Sequence, residues 1–168
     1  MKYIKLYEQA QPEKRVGYYA NGSVASEAWY QNDKLHREDG LAVTNYRPDG
    51  SVKIEAWYQN NRAHREDGPA HINYYPNGSK YEAWYQNDKL HREDGPAVTN
   101  YRPDGSVASE AWYQNGELHR EDGPAWIGYR TDGSVKYEGW CWHGEKVEDI
   151  TSLEDFRAWQ YLKSVGLV

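Results

Sequence analysis

The 168-residue sequence predicts an all-β fold: an elongated, single-layer antiparallel sheet of about five β-hairpin repeats with a C-terminal capping α-helix. Three observations carry this. The block Ala-Trp-Tyr-Gln-Asn begins at Ala28, Ala56, Ala83 and Ala111, a period of 27–28 residues, and Gly139-Trp140-Cys141-Trp142-His143 is a worn fifth copy. His-Arg-Glu-Asp-Gly recurs at His36, His64, His91 and His119, and Asn/Asp-Gly-Ser at Asn21, Asp49, Asn77, Asp104 and Asp132. Self-similarity at a fixed period of this size marks a repeat architecture. The composition agrees: Leu, Ile, Val and Phe number only 24, while 8 Trp and 16 Tyr supply aromatic surface that a disordered chain would lack.

Residues 1–15 read as an N-terminal edge strand or cap, because Tyr3-Ile4-Lys5-Leu6-Tyr7 alternates and carries lysines that discourage further pairing. Residues 16–148 hold the hairpins. Pro48-Asp49-Gly50, Pro76-Asn77-Gly78 and Pro103-Asp104-Gly105 have turn chemistry, a fixed proline φ followed by residues that tolerate positive φ. Asn32-Asp33, Asn60-Asn61, Asn87-Asp88 and Asn115-Gly116 suit two-residue type I′ hairpin turns. A two-residue turn at Asn60-Asn61 sets the register: Gln59 faces Arg62, Tyr58 faces Ala63 and Trp57 faces His64. The return segment is longer than the outgoing one, so a bend or strand break is expected near Glu66-Asp67-Gly68-Pro69. The one short spacing comes from a residue missing between Ser79 and Tyr81, next to a turn. Residues 149–168 predict the capping helix. Thr151 and Glu154 have capping-box spacing, Leu153, Phe156, Trp159, Leu162 and Val165 follow at helical spacing, and Gly166 supplies a stop.

The formal net charge of −6 weighs against binding nucleic acid or an anionic membrane, both of which need positive charge on the protein. One cysteine, Cys141, forms no internal disulfide, and neither a signal peptide nor a membrane span is visible, so a soluble cytoplasmic protein is expected. The fourfold His-Arg-Glu-Asp is read as structural. Equivalent histidines lie about 10 Å apart, two strand spacings, too far to share a metal. Arg with Glu or Asp would form ion-pair ladders between units, with His stacked on Trp. No catalytic residue, metal site or cofactor is expected.

Binding specificity is sought where the copies disagree. One column reads Val43, His71, Val98 and Trp126, and the position four residues on reads Arg47, Tyr75, Arg102 and Arg130. By period 2 they share a face, a stripe of aromatic and cationic character typical of interface hot spots. The candidate binding residues are therefore Arg47, His71, Tyr75, Arg102, Trp126 and Arg130.

The unit resembles a MORN-type repeat of the divergent bacterial and phage kind. Tyr137-Glu138-Gly139-Trp140-Cys141-Trp142-His143-Gly144 comes closest. In another copy Glu55, Trp57, Asn60, His64, Gly68, Tyr74, Asn77 and Gly78 occupy matching places. The likeness covers about residues 16–147, departing in a longer unit and in Arg-Glu-Asp-Gly-Pro after the histidine. It implies a twisted antiparallel sheet used for protein association, with phospholipid binding in eukaryotic relatives and antitoxin or immunity roles in bacterial ones. Together these readings point to a non-enzymatic protein-binding module acting as an inhibitor, antitoxin or immunity protein. A small-molecule or glycan-binding module using the aromatic face is the alternative, and a homodimer stays open.

Overall fold

The computed structural model describes residues 11–168. The edge strand expected at Tyr3–Tyr7 lies outside them. The chain is an all-β array of hairpins closed by one C-terminal helix. Its strands are β1 (Glu13–Tyr18), β2 (Val24–Gln31), β3 (Lys34–Leu35), β4 (Val43–Tyr46), β5 (Val52–Ala56) and β6 (Tyr58–Gln59). There follow β7 (Arg62–Ala63), β8 (His71–Tyr74), β9 (Lys80–Ala83), β10 (Tyr85–Gln86), β11 (Lys89–Leu90) and β12 (Val98–Tyr101). The last are β13 (Val107–Ala111), β14 (Tyr113–Gln114), β15 (Glu117–Leu118), β16 (Trp126–Tyr129), β17 (Val135–Trp142) and β18 (Glu145–Val147), before α1 (Leu153–Ser164). A 12-stranded antiparallel sheet runs in the order β1-β2-β4-β5-β8-β9-β12-β13-β16-β17-β18, with β3 paired to β2.

Each repeat contributes at two levels. Its long strands join the main sheet, and its Tyr-Gln segment folds back as a short hairpin beside it. In the middle units the outgoing strand breaks at Trp57, Trp84 and Trp112, whereas β2 and β17 run through. The short hairpins keep the expected register, Tyr58 opposite Ala63 and Gln59 opposite Arg62. Their turns hold both central residues at positive φ, as type I′ requires: Asn60 at 52° and Asn61 at 67°, Asn87 at 52° and Asp88 at 67°. Neighbouring short hairpins pair in turn: Asn61 N–H donates to Leu35 O at 2.9 Å, and Leu35 N–H donates to the Asn61 side chain at 2.6 Å. Each turn residue thus also fastens the unit before it.

At the opposite edge the Asp-Gly turns are locked by Asp49 and Asp104, whose carboxylates accept from the Ser51 and Ser106 N–H and hydroxyl groups. Those bonds hold both carboxyls below the usual carboxylate range. The register shifts by one residue beside three such turns, at Asn45/Tyr46, Asn100/Tyr101 and Gly128/Tyr129. The β8–β9 ladder has no such shift. The residue missing before Tyr81 is therefore a bulge residue, and its loss leaves the pairing intact.

On one sheet face Ala28, Val43, Ala56, His71, Ala83, Val98, Ala111, Trp126 and Gly139 stand opposite one another in order. On the other, Glu27, Glu55, Glu82 and Glu110 alternate with Thr44, Ile72, Thr99 and Ile127. Each glutamate accepts from the tyrosine of its repeat's return strand: Tyr46 to Glu27 at 3.3 Å, Tyr74 to Glu55 at 2.9 Å, Tyr101 to Glu82 at 3.0 Å and Tyr129 to Glu110 at 2.7 Å. Burial, then the carboxylate, pushes Tyr74 and Tyr129 up to about 12. Ala42, Ala70, Ala97 and Ala125 are fully buried at the step between the two levels, where Trp57 N–H donates to Ala70 O at 2.8 Å.

The worn copy differs for packing reasons. A Cβ on Gly139 would overlap the Trp126 indole, and one on Gly128 would overlap the Tyr137 ring. The aromatic substitutions therefore occur with glycine partners. Gly139→Ala is expected to destabilise by about 1–3 kcal/mol through overpacking, and to be tolerated when Trp126 is replaced by the Val found at Val43 and Val98. A double-mutant cycle in urea measures this, and equal costs in both backgrounds would acquit the indole.

The helix seals the last hairpin. Phe156, Trp140 and Val147 are buried together, with Trp142, Ile150, Leu153 and Trp159 around them. Its N-cap is Ser152, one residue later than the Thr151 box, with Ser152 Oγ accepting from Asp155 N–H at 3.1 Å. Gly166 follows the C-terminal turn at φ 73°. No helix among the described residues is long and apolar enough to cross a membrane.

Candidate functional site

The four His-Arg-Glu-Asp-Gly segments form loops that stand in a row beside the short hairpins. In one unit His64 N–H donates to Trp57 O, which ties the loop to its own strand. The Arg65 guanidinium then lies over the Trp57 ring, 4.0 Å from its centroid. From there Nε donates to Asp67 Oδ1 at 2.8 Å and Nη1 to Pro69 O at 3.4 Å. Gly68 is required by close approach, since a Cβ there would run into that guanidinium. Arg37 over Trp29, Arg92 over Trp84 and Arg120 over Trp112 repeat the stack at 4.6, 4.0 and 4.0 Å. The ion pairs therefore close within each loop, not between units, and in these four stacks arginine, not histidine, covers the tryptophan.

Histidine makes the contact between units. His36 Nδ1 accepts from Asn60 N–H at 3.2 Å, His64 from Asn87 at 3.3 Å, His91 from Asn115 at 3.1 Å and His119 from His143 at 3.1 Å. An accepting Nδ1 places the proton of the neutral ring on Nε2. That nitrogen lies 3.6–3.8 Å from the glutamate of the same loop in all four units. His119 is the most enclosed, 2% exposed, and its Nε2 has no hydrogen-bond partner. Burial, and then the neighbouring His143, lowers its pKa.

Grooves lie between successive loops. One is bounded by residues 37–41 and by Trp57, Gln59, His64 and Arg65, and another by residues 92–96 and by Trp112, Gln114, His119 and Arg120. Arginine holds Asp67, Asp94 and Asp122 below the ordinary carboxylate range and neutralises them. Glu38, Glu66, Glu93 and Glu121 stand outward with side chains 72–85% exposed. The row thus presents roughly one uncompensated negative charge per loop at a regular pitch. Among the described residues no three His, Cys, Asp or Glu side chains are grouped to hold a metal ion.

The six candidates from the sequence are distributed over the main sheet. His71 and Trp126 stand in the same cross-sheet row, His71 between Ala56 and Ala83. Trp126 covers Gly139 beside Tyr137. Arg47 and Tyr75 line one small hollow, and Arg102 and Arg130 another. Arg47 donates to Val52 O at 2.7 Å and also to Tyr74 O of the next unit, and Arg102 donates to Val107 O and Tyr129 O, each at 2.5 Å. Arg130 donates to Ser134 Oγ at 3.3 Å and to Val135 O. Tyr75 is exposed. These arginines are spent on turns and, for Arg47 and Arg102, on the seam to the next repeat, while the loop glutamates, absent from the sequence candidates, face outward. Their repetition was the available signal. No protein-family model matches the chain, and no curated protein matches it.

Proposed function

We propose that the protein is a non-enzymatic repeat module that binds another protein along its row of loops. The observation that carries this is the loop row itself: four copies of one Trp-Arg-Asp-His-Glu arrangement at constant pitch, with the inner groups fixed and one carboxylate per unit left outward. Each histidine is fixed through Nδ1 and each arginine through its stack and its aspartate, which suits a rigid docking edge. The MORN-type likeness belongs to the same reading, as do cytoplasmic residence and action as an inhibitor, antitoxin or immunity protein that occupies its target. Arg47, His71, Tyr75, Arg102, Trp126 and Arg130 then form a second, lesser contact surface on the sheet.

Native mass spectrometry of the tagged protein, drawn gently from the lysate of its own source, tests this. A stoichiometric protein adduct is the expected result. A small bound mass without protein would replace it with the ligand-binding reading on the aromatic face.

A further inference from the structure

We propose that the partner segment is a basic peptide in extended, polyproline-II form, carrying a cationic side chain at every third residue and lying along the four loops. This rests on the protein-binding reading and specifies what the row of grooves takes.

Charge comes first. Glu38, Glu66, Glu93 and Glu121 stand outward without an arginine of their own, because Arg37, Arg65, Arg92 and Arg120 are held by tryptophan and aspartate. A row of single negative charges selects against phosphate-bearing partners and favours spaced cations.

An orphaned donor is the second, independent observation. With Nδ1 of His119 accepting from His143 N–H, the ring proton sits on Nε2. That atom is buried at the groove bounded by Arg92 and Glu93, 3.7 Å from Glu121 Oε1, and has no partner within hydrogen-bond distance. A buried N–H without an acceptor calls for a carbonyl oxygen. A polyproline-II backbone, with no internal hydrogen bonds, has its carbonyls free to supply one.

Pitch is the third. Successive loops are two strands apart, about 9.5 Å at normal sheet spacing. Three residues of polyproline II rise about 9.3 Å and return to the same side of the helix. Cations at positions i, i+3, i+6 and i+9 therefore meet four consecutive glutamates with little accumulated mismatch. An α-helix rises only about 1.5 Å per residue, and more than six residues of it would be needed for each step.

Fluorescence anisotropy of the full chain with two labelled peptides of equal composition provides the test. One peptide is Arg-Pro-Pro repeated four times, and the other gathers its four arginines at one end. The spaced peptide is expected to bind about tenfold more tightly, to weaken with added salt, and to lose about tenfold in E38Q/E66Q/E93Q/E121Q. If that variant loses its β-sheet circular dichroism, E66Q/E93Q makes the same comparison with a smaller loss. Equal affinity for the two peptides, binding that survives the glutamine substitutions, or no binding at all would each overturn the proposal. A protein adduct in native mass spectrometry beside a silent peptide would remove this inference and leave the protein-binding reading standing.

Discussion

Phe156→Ala is expected to destabilise the protein by about 3–5 kcal/mol, the range for emptying an aromatic site in a packed core. Phe156 is fully buried, its ring 4.8 Å from Trp140 and parallel to Trp159 at 6.1 Å. It joins α1 to β17 and β18, and the hairpins inside the array have no comparable core. In units two to four the face against the short hairpin carries Gln59, Gln86 and Gln114, which tolerate water. The worn copy has Trp142 at that position, and Val147 where the others have histidine. Those substitutions need a cover, and the helix is that cover. Without Phe156 the helix would leave its seat and expose Trp140 and Trp142, and the last hairpin would fray.

Repeat arrays couple mainly through nearest neighbours, so the damage should be graded along the chain. Hydrogen exchange after Phe156→Ala is expected to lose protection in residues 135–164 first, while β4 through β9 keep most of theirs. A loss below about 1 kcal/mol, or uniform loss of protection, would mean that the helix is not an end cap.

How much of this was legible in the sequence follows from how local each determinant is. A two-residue Asn-Asn turn fixes its own register, so the Tyr58–Ala63 pairing could be read directly. The helix was readable from spacing alone. The break at Trp57 was not, because alternation continues through it and only the buried alanine step behind it forces the fold-back. The Arg65–Trp57 stack depends on how a loop folds back over its own strand, the His64–Asn87 bond of 3.3 Å on how it stands against the next unit, and no spacing in the chain encodes either. The column Arg47, Arg102 and Arg130 looked free for a partner because its acceptors, backbone carbonyls, have no side-chain signature. The outward glutamates carry the opposite signal: identical in every copy, they read as framework.

Acidification is expected to loosen the array through its histidines before the carboxylates respond. His119 accepts at Nδ1 from His143 N–H, and protonation would set N–H against N–H there. Trp142 and His143 also face the ring, and Glu121, with Glu117 further off, favours the charged form, but burial and His143 outweigh them and the pKa is lowered. His71, half-buried between Ala56 and Ala83, is lowered by burial alone. For a histidine whose folded pKa lies below its unfolded value near 6.5, the unfolded chain binds the proton first as pH falls. Stability is therefore full above about pH 6.5 and declines as pH drops toward the lower folded value. Asp49, Asp67, Asp94, Asp104, Asp122 and Asp132 act in a separate window: held low in the fold, they lose their contribution only as pH falls below about 4. A buried backbone donor left without an acceptor costs about 1–3 kcal/mol, and 1 kcal/mol shifts the melting temperature of a chain this size by roughly 2–4 °C. Thermal melts from pH 8 to pH 5 should accordingly fall by several degrees. His119→Asn keeps an acceptor where Nδ1 stood and removes the titration, and His71→Val restores the residue of Val43 and Val98. The double variant should melt with a clearly shallower fall across that range. An undiminished slope in it would place the pH response elsewhere and deny these two histidines a part in it.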